Sequence, residues 1–430
     1  MKKRSLCVVF GLSLLIFACL IIFFKIRVIK YNDDTYIKWS DKQVNEKVEN
    51  IVSDTKIKVK SSLDGNTTDV SIQDLGIGFK LLNSDGQEIK KFPRIFDLNE
   101  VLSYYIEDEG IFKSYFKEMN KNLTKSENAY YEKTDLDIVL HKEVLGSKVN
   151  ISKLYDTYSS GIDNDNLKID LNNFIVEPDL IEADFKESEE YLDKLRLWSI
   201  KYTNDFKLSF DDLVNFISIS KNNVKIKKKK FSEYLTTYIP TKLDTYNTVG
   251  KTRSFKTRSG NKVKLSSGTY GDIVDFESEV TYIMDLLKQI KSESSRKPSL
   301  LLDLPNKIPN TYIEVSIANQ HLWYYVNGKL KMESSVVTGT RGVHDTPRGI
   351  YYISEKIPGK YLTGDTYRTW VNRWMRLTNM GIGLHDATWR SNFGGSIYTY
   401  SGSHGCINLP YSFAVSLYKA VDWKTAVIIY

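Results

Sequence analysis

An uncharged apolar run near the start of the chain restricts the possible fold more than any other feature. Leu6–Phe24 is nineteen residues long and consists mostly of Leu, Ile, Val and Phe. This is the length of a membrane-spanning helix, and no clean small-residue cleavage site accompanies it. The sequence therefore predicts an uncleaved signal anchor with one transmembrane helix at residues 1–30, the alternative being a buried core helix.

Basic residues are concentrated around this run. The whole chain has a net charge of +7, and residues 1–30 contain six basic and no acidic residues, which leaves 54 basic and 53 acidic residues elsewhere. This balanced remainder gives no reason to expect a nucleic-acid partner. Because three basic residues lie on each side of the run, charge alone does not predict which end of the helix faces the cytoplasm. Its short N-terminal tail predicts a single-pass protein of the cell membrane whose remaining chain is extracellular.

About 400 residues follow the run, more than one ordinary domain contains. A polar, Pro-punctuated stretch at 291–310 is typical of a linker. Before it, helical and strand-like patterns alternate, which predicts a mixed α/β region at 31–150 and a second module at 151–290. Helical spacing occurs at 181–201, 210–218 and 275–290, and strand-like patterns occur at 57–60 and 262–265.

The chain after the linker has the pattern of a mostly β domain. Ile313, Val315 and Ile317 alternate with polar residues, as in a strand with one exposed face, and Asn327-Gly328 between two apolar runs signals a hairpin. Further strands are predicted at 349–353 and 425–430, and one helix at about 409–421. The predicted fold class is therefore multi-domain α+β, with a mostly β C-terminal domain at 311–430.

The motif Ser403–Asn408, with the sequence SHGCIN, contains the only cysteine outside the apolar run, and His385 precedes His404 by nineteen residues. A lone thiol with histidines nearby has what a nucleophile needs, namely a base and no competing disulfide. Cys406 is therefore the predicted nucleophile, with either His385 or His404 as its base. The same three side chains could instead bind zinc, although the usual closely paired ligands are missing.

The surroundings of Cys406 predict a reactive thiol. Its loop precedes the helix expected at about 409–421, for which Asn408 would be the N-cap and Pro410 part of the first turn. A helix N-terminus favours the thiolate form of a cysteine. The backbone amides of Gly405 and Cys406 would be placed to stabilise an oxyanion.

These residues resemble the signature of the YkuD-type L,D-transpeptidases, which is a histidine, a long spacer and an SHGC motif, here His385 and Ser403–Cys406. The resemblance covers about 311–430, because further motifs agree in order. They are Asn319–Gly328, Val337–Gly339, Thr346–Gly349, Trp374–Met375 and Gly383–Ala387. Many members have Gly and Arg where this chain has Asp386 and Asn408, which places the chain with a subset of the family.

The resemblance implies a cysteine acyltransferase without a metal or organic cofactor. Cys406 would attack the carbonyl of the third residue of a peptidoglycan tetrapeptide stem and expel D-alanine. His385 would be the general base, oriented by the backbone carbonyl of Asp386. His404 would order the loop on the other side of the thiol, and Gly405 would let the backbone turn tightly. An amine of a second stem would resolve the thioester and form a 3→3 cross-link.

The resemblance also implies partners and groove residues. Donor and acceptor tetrapeptide stems would be the substrates in cell-wall synthesis, which maintains cell shape, and carbapenems would acylate the cysteine. The predicted substrate-binding residues are Asp386, Trp389, Ser403, Asn408, Trp374 and Tyr398.

The region before the linker is similar to the domain that precedes the catalytic domain in membrane-anchored Gram-positive members. The similarity involves Phe255–Gly260, Gly268–Gly271 and Val274–Asp275. It implies a peptidoglycan-binding module at 151–290.

Two other functions share these residues. An L,D-carboxypeptidase that uses water as acceptor would have the same catalytic residues, and a wall-binding scaffold could derive from a decayed catalytic domain. Sortases are disfavoured because they need an arginine shortly after the cysteine, where this chain has Asn408. NlpC/P60-type peptidases are disfavoured because they place the cysteine before the histidine.

Overall fold

The computed structural model describes residues 2–162, 167–364 and 367–430, and of residues 2–12 and 22 the backbone alone. The chain forms two compact units, residues 1–189 with 219–223 and residues 190–218 with 224–430. The second unit contains the whole domain predicted at 311–430 together with the segment before it.

The first unit mixes helices with short strands. Its helices are α1 (Lys2–Lys25), α2 (Asp41–Ser53), α3 (Leu98–Val101), α4 (Glu109–Met119) and α5 (Ile151–Tyr158). Its strands are β1 (Arg27–Tyr31), β2 (Asp34–Lys38), β3 (Lys56–Lys60), β4 (Thr67–Ser71), β5 (Ile77–Leu81), β6 (Ile95–Asp97), β7 (Leu102–Ile106), β8 (Tyr130–Lys133), β9 (Ile138–His141) and β10 (Lys168–Asp170). They form the sheets β2-β1-β6 and β10-β3-β4 and the pairs β5-β7 and β8-β9.

One-sided helices build the core of the first unit. In α2, Val44, Val48 and Val52 are buried at a spacing of four residues, and the Ser40 side chain caps the helix by accepting a hydrogen bond from the Gln43 amide. A helix with one apolar stripe gains most of its stability by packing that stripe against a core. The strand predicted at 57–60 is found as β3.

Helix α1 coincides with the apolar run, and several of its side chains are exposed, among them Leu15, Phe17 and Phe24. Within the part of the chain that the structure describes, no helix is both long and apolar enough to cross a membrane. The transmembrane helix predicted within 1–30 is therefore not found among the described residues. The side chains of 2–12 and 22 do not belong to that set.

The second unit begins with a mixed segment before the C-terminal domain. Its helices are α6 (Lys186–Leu197), α7 (Phe210–Leu213), α8 (Lys228–Leu243) and α9 (Phe276–Gln289). Its strands are β11 (Ser199–Tyr202), β12 (Lys207–Ser209), β13 (Ile217–Ser220), β14 (Asn223–Ile226), β15 (Arg253–Lys256), β16 (Lys262–Leu265), β17 (Ile273–Val274), β18 (Glu293–Arg296) and β19 (Leu300–Leu302). Helix α6 and strand β13 each include residues of both units.

The stretch 291–310, predicted as a linker, contains the two strands β18 and β19. Strand β18 pairs in parallel with β11, and β19 pairs with β17. Arg296 in β18 donates to the buried carboxylate of Glu279 at 2.7 Å, and the Tyr202 hydroxyl donates to the same carboxylate at 2.6 Å. These partners lie far away in sequence, so the local pattern does not predict the strands.

The C-terminal domain consists of two main sheets, one hairpin and one helix. Its strands are β20 (Tyr312–Ser316), β21 (His321–Val326), β22 (Lys329–Ser335), β23 (Gly349–Tyr352), β24 (Glu355–Ile357), β25 (Lys360–Gly364), β26 (Tyr367–Val371), β27 (Trp374–Arg376), β28 (Gly383–Asp386), β29 (Ile407–Leu409) and β30 (Ala426–Ile429), and its helix is α10 (Tyr411–Ala420). The five-stranded sheet has the order β22-β21-β20-β30-β23, the four-stranded sheet β24-β27-β28-β29, and β25 pairs with β26. The mostly β prediction for this domain is confirmed.

The predicted hairpin lies between β21 and β22. Asn327 and Gly328 both have positive φ angles, 50° and 77°, as the tight turn of a two-residue hairpin requires. The prediction of one exposed face on β20 is wrong, because Glu314 is 0% and Ser316 1% exposed. The β15–β16 hairpin covers that face, and the Arg258 amide donates to Glu314 at 2.7 Å.

The two main sheets share one apolar core. It contains Val315 and Val427 from the five-stranded sheet, Leu384 and Ile407 from the four-stranded sheet, and Leu417 from α10. Because side chains alternate along a strand, the residues next to Leu384 and Ile407 point to the opposite face of the four-stranded sheet. His385 and Asn408 are these residues, paired in parallel register.

Candidate active site

Hydrogen bonds within the SHGC loop fix its conformation. The Ser403 hydroxyl donates to the Cys406 carbonyl at 2.5 Å and accepts from the Gly405 amide at 3.1 Å. The Gly405 carbonyl in turn accepts from the Thr346 hydroxyl at 2.8 Å. Gly405 has a φ of 107°, a conformation that residues with a Cβ rarely adopt. The glycine therefore serves the tight turn that the sequence predicts.

The segment around residues 337–349 packs directly against this loop. A Cβ on Gly339 would lie 1.8 Å from the His344 carbonyl oxygen and 2.9 Å from the Gly405 Cα. The Gly339 amide also donates to the Thr346 hydroxyl at 2.8 Å. Two motifs that are separate in sequence thus form one structural support for the cysteine.

Cys406 precedes a strand and not a helix. It is followed by β29, and α10 begins only at Tyr411, with Pro410 at its N-cap position. The predicted capping role of Asn408 is therefore wrong, and so is the predicted stabilisation of the thiolate by a helix N-terminus. Burial raises the pKa of the Cys406 thiol to about 11, so the free thiol is protonated at neutral pH and needs a base.

His385 has the orientation and the charge state of such a base. It is 3% exposed, and its Nδ1 lies 2.8 Å from the backbone oxygen of Asp386. Since a carbonyl oxygen only accepts, Nδ1 carries the proton and Nε2 keeps its lone pair. Burial lowers the pKa of His385, which keeps the ring neutral. The rings of Trp374 and Trp389 both lie near the imidazole, each with its centroid 5.9 Å away.

His404 lies on the exposed rim of the site. Its ring centroid is 4.6 Å from that of His344 and 4.9 Å from that of Tyr367. These tilted ring contacts favour a role in ordering the rim, and they leave His385 as the better candidate base. Among the described residues, no three His, Cys, Asp or Glu side chains are grouped to bind a metal.

A cavity of about 250 Å³ opens above the cysteine. Six of the predicted site residues surround it, namely Cys406, His385, His404, Trp389, Ser403 and Asn408. The other lining residues, which the sequence analysis missed, are Leu362, Tyr367, Thr369, Arg390 and Gly402. Three of these belong to the β25–β26 hairpin, whose position over the cysteine depends on tertiary packing and leaves no local signal.

Three predicted groove residues lie away from the cavity. Asp386 is 0% exposed, and its carboxylate accepts from the Asn372 and Arg373 amides, each at 2.8 Å. Trp374 is 1% exposed and donates from its indole to Glu355 at 2.9 Å. Tyr398 lines neither this cavity nor the groove beside it. The geometry therefore assigns Asp386 and Trp374 to the support of β27 and β28, and gives no substrate contact for these three residues.

Asn408 differs from these three residues because its side chain faces the cavity. Its backbone exchanges two hydrogen bonds with Val337, at 2.9 and 3.1 Å. Its side-chain Oδ1 is buried and has no partner among the described residues. A buried amide oxygen without a partner is costly unless a ligand or water satisfies it.

Comparison with known proteins assigns the C-terminal domain to a family. Residues 310–429 match the family model of the YkuD L,D-transpeptidase catalytic domain. A search among curated proteins gives no match. The chain is 28% identical to a crystallised Enterococcus faecium L,D-transpeptidase with a Cys-to-Ser mutation, over 57% of this chain and 100% of that one, with a TM-score of 0.43.

Two further solved structures are of the catalytic domain of the E. faecium L,D-transpeptidase. The first is 38% identical over 28% of this chain and 96% of that one, with a TM-score of 0.26. The second, acylated by ertapenem, is 37% identical over 29% of this chain and 99% of that one, with a TM-score of 0.27.

Proposed function

Residues 310–429 belong to the YkuD family of L,D-transpeptidase catalytic domains, and from this premise we propose that the protein forms 3→3 cross-links in peptidoglycan through Cys406. The observation that carries the proposal is the geometry of the cavity. Cys406 and the buried His385 both line it, and the bond from His385 Nδ1 to the Asp386 carbonyl leaves Nε2 with its lone pair.

The first half of the reaction acylates the cysteine. His385 Nε2 takes the thiol proton while Sγ bonds to the carbonyl carbon of the third residue of the donor stem. The tetrahedral intermediate then collapses, the carbon–nitrogen bond breaks, and the imidazolium gives its proton to the leaving amine of D-alanine. The product is a thioester. Burial disfavours both the thiolate and the imidazolium, which favours a proton transfer that accompanies the attack.

The second half transfers the acyl group. The side-chain amine of the diamino acid on a neighbouring stem attacks the thioester, and His385 takes the proton that the amine loses. The carbon–sulfur bond breaks, and the thiolate recovers its proton from the imidazolium. An amide between two third residues remains, with His385 and Cys406 in their starting states.

The backbone near Cys406 supports the oxyanion in both halves. The Gly405 amide already donates to Ser403, which leaves the Cys406 amide as the candidate donor of the predicted pair. Fixed donors of this kind cost little reorganisation when charge develops. The Thr346 hydroxyl orients this amide, because it donates to the Gly405 carbonyl of the same peptide unit.

The proposal extends to inhibitors and location. A carbapenem would acylate Cys406 by the same attack on a carbonyl, and ertapenem is a suitable reagent to test this. The substrate implies that the catalytic domain works outside the cell at the wall, with residues 1–30 as the membrane anchor and the module at 151–290 as a wall contact. Protease treatment of intact cells expressing the protein would remove an extracellular catalytic domain and would spare an intracellular one.

Product analysis tests the reaction. Wild type and Cys406→Ala are incubated with disaccharide-tetrapeptide, and the products are analysed by mass spectrometry. The proposal predicts a dimer with the mass of two disaccharide-tetrapeptides minus one D-alanine, absent with the mutant. Tripeptide monomer alone would instead establish an L,D-carboxypeptidase. Absence of both products and of any carbapenem adduct would contradict the enzyme assignment and leave the wall-binding scaffold.

A further inference from the structure

Arg390 lies between the catalytic cavity and a second groove. It lines the cavity above Cys406 and also the adjoining groove of about 350 Å³, together with Trp389 in both cases. The groove continues along Asn392, Ile397 and Tyr400. A single guanidinium therefore faces both the position where acylation takes place and the surface that leads away from it.

The hydrogen-bonding capacity of Arg390 is largely unused. A guanidinium has five N–H donors. Nη1 donates to the Ser401 carbonyl at 3.0 Å, whereas Nε is buried and has no partner among the described residues. No described Asp or Glu forms an ion pair with it, and burial lowers its pKa. A partly buried cation without a counter-ion is costly, so this arrangement is suited to an anionic ligand.

The electrostatics of the cavity support the same conclusion. Among the described residues, no Asp or Glu lines either the cavity or the adjoining groove. Asp386, the carboxylate nearest in sequence to the base, is turned towards the Asn372 and Arg373 amides. A substrate anion would therefore meet a cation and no competing carboxylate. The Nε–Nη2 edge, with Nη1 already engaged, has the spacing for a bidentate carboxylate.

We propose that Arg390 binds a carboxylate of the peptide stem, specifically the terminal D-alanine carboxylate of the donor. The proposal rests on the proposed function, which places the scissile carbonyl at Cys406 and the leaving D-alanine directly beyond it. The carboxylate of that residue is a few bonds from the carbon under attack, and Arg390 lines the same cavity. The contact would orient the leaving group and select stems that end in a free acid.

Binding of this carboxylate would also act on His385. The positive charge of Arg390 is one of the causes that lower the pKa of His385. A carboxylate bound to Arg390 offsets that charge and makes the imidazolium less costly during acylation. Departure of D-alanine restores the unpaired guanidinium, which favours the neutral His385 that the second half of the reaction needs.

The first test measures the anion site without relying on transpeptidation. Cys406 is alkylated with iodoacetate, which is anionic, and with iodoacetamide, which is neutral and of similar size. Rates are compared for wild type, Arg390→Gln, Arg390→Lys and Lys419→Gln. Lys419, on α10, is exposed and lines neither space, so its variant removes one positive charge elsewhere in the domain.

The expected ratio of iodoacetate to iodoacetamide rates falls about tenfold in Arg390→Gln, a size typical of losing a charge-assisted hydrogen-bonded contact. It is largely retained in Arg390→Lys and unchanged in Lys419→Gln. An equal ratio in wild type and Arg390→Gln would overturn the anion site. An equal fall in Lys419→Gln would also overturn it, because the effect would then be one of net charge.

The second test identifies which carboxylate binds. With wild type, a donor tetrapeptide that ends in a carboxamide should turn over about tenfold more slowly than the free acid. With Arg390→Gln, the two donors should turn over at the same rate, because the carboxylate and Arg390 then no longer interact. The same comparison is made with an amidated acceptor. If Arg390→Gln removes the acceptor preference and leaves the donor preference intact, the donor assignment is overturned. If wild type alkylates with the expected ratio but shows no turnover, the transpeptidase proposal fails separately from the anion site.

Discussion

The two main sheets of the catalytic domain share a core but differ at their outer faces. The five-stranded sheet is closed on its outer face by the β15–β16 hairpin, where Phe255 and Leu265 pack against Ile350 and Ile428. The four-stranded sheet carries the buried His385 on its outer face, where it lines the cavity that opens to solvent. One sheet therefore joins the catalytic domain to the segment before it, and the other provides the chemistry.

Buried polar groups occur on both faces but differ in what a ligand can reach. On the closed face, Glu314 Oε1 accepts from the Arg258 amide at 2.7 Å and from the Tyr430 hydroxyl at 2.6 Å, while Oε2 is buried without a partner among the described residues. On the open face, Asn408 Oδ1 and Arg390 Nε are likewise buried without partners among the described residues. Both residues of the open face line the cavity above Cys406, whereas Glu314 lies beneath the β15–β16 hairpin and serves to attach it. Substitutions on each face test this difference.

The largest expected effect comes from removing the base on the open face. In His385→Ala, acylation of Cys406 by ertapenem should slow by about 10³-fold at pH 7, within the range of a lost general base. Burial raises the thiol pKa to about 11, so little thiolate forms without His385, and the mutant rate should rise steadily with pH. Intact-protein mass spectrometry over time measures this. His141→Ala, in the first unit, is the matched control, and a mutant rate within threefold of wild type would contradict the role of His385.

The pH profile of wild type gives the next largest effect. His385 acts as a base only when neutral, and burial lowers its pKa below the ordinary value of 6.5. The acylation rate should therefore stay constant as pH falls from 7.5 to 6.5, and decrease about tenfold per pH unit only below the lowered pKa. Stopped assays with ertapenem between pH 4 and 8 determine the inflection. An inflection above 6.5 would contradict a buried neutral base.

A smaller effect is expected from Asp386, which supports the site from within the open sheet. Asp386→Ala removes the acceptor for the Asn372 and Arg373 amides and should lower the free energy of unfolding by about 3 kcal/mol, as buried donors without acceptors do. Urea denaturation measures the change. Asp303→Ala, which removes an exposed carboxylate, should change stability by less than about 0.5 kcal/mol. Equal effects of the two substitutions would show that the Asp386 carboxylate has no special structural role.

The smallest effect on chemistry is expected from the closed face. Glu314→Ala removes the acceptor for the Arg258 amide and the Tyr430 hydroxyl and should cost about 1–2 kcal/mol of unfolding free energy. Acylation by ertapenem should change by less than about twofold, because substitutions at distant sites usually have independent effects and Glu314 does not line the cavity. Urea denaturation and acylation rates, measured on the same preparation, test both expectations. A large loss of acylation with unchanged stability would show that the two faces are coupled.

The sequence predicts much of the open face and little of the closed one. The turn residues Asn327 and Gly328 are enough to predict the β21–β22 hairpin. The SHGC motif identifies the catalytic loop, because its residues are adjacent in the chain. Glu314 looks like a solvent-facing residue, since alternation shows which side chains share a face but not what covers that face. Strands β18 and β19 likewise depend on partners far away in sequence.

Within the site, the errors have a similar cause. The predicted helix N-terminus beside Cys406 depends on where β29 ends and α10 begins, a boundary that tertiary pairing with β28 determines. Asp386 follows the base in sequence, but its side chain points to the opposite side of the strand from His385. Arg390 and the β25–β26 hairpin complete the cavity only after folding, so their roles were not predicted.

The central claim is that Cys406 is the nucleophile of the open face, and intact-protein mass spectrometry with ertapenem tests it most directly. Wild type should gain the mass of one ertapenem, located by peptide mapping at Cys406, while Cys406→Ala gains none and keeps the wild-type urea denaturation midpoint within experimental scatter. An adduct on any other residue, or an equal adduct on the folded mutant, would contradict the assignment of Cys406.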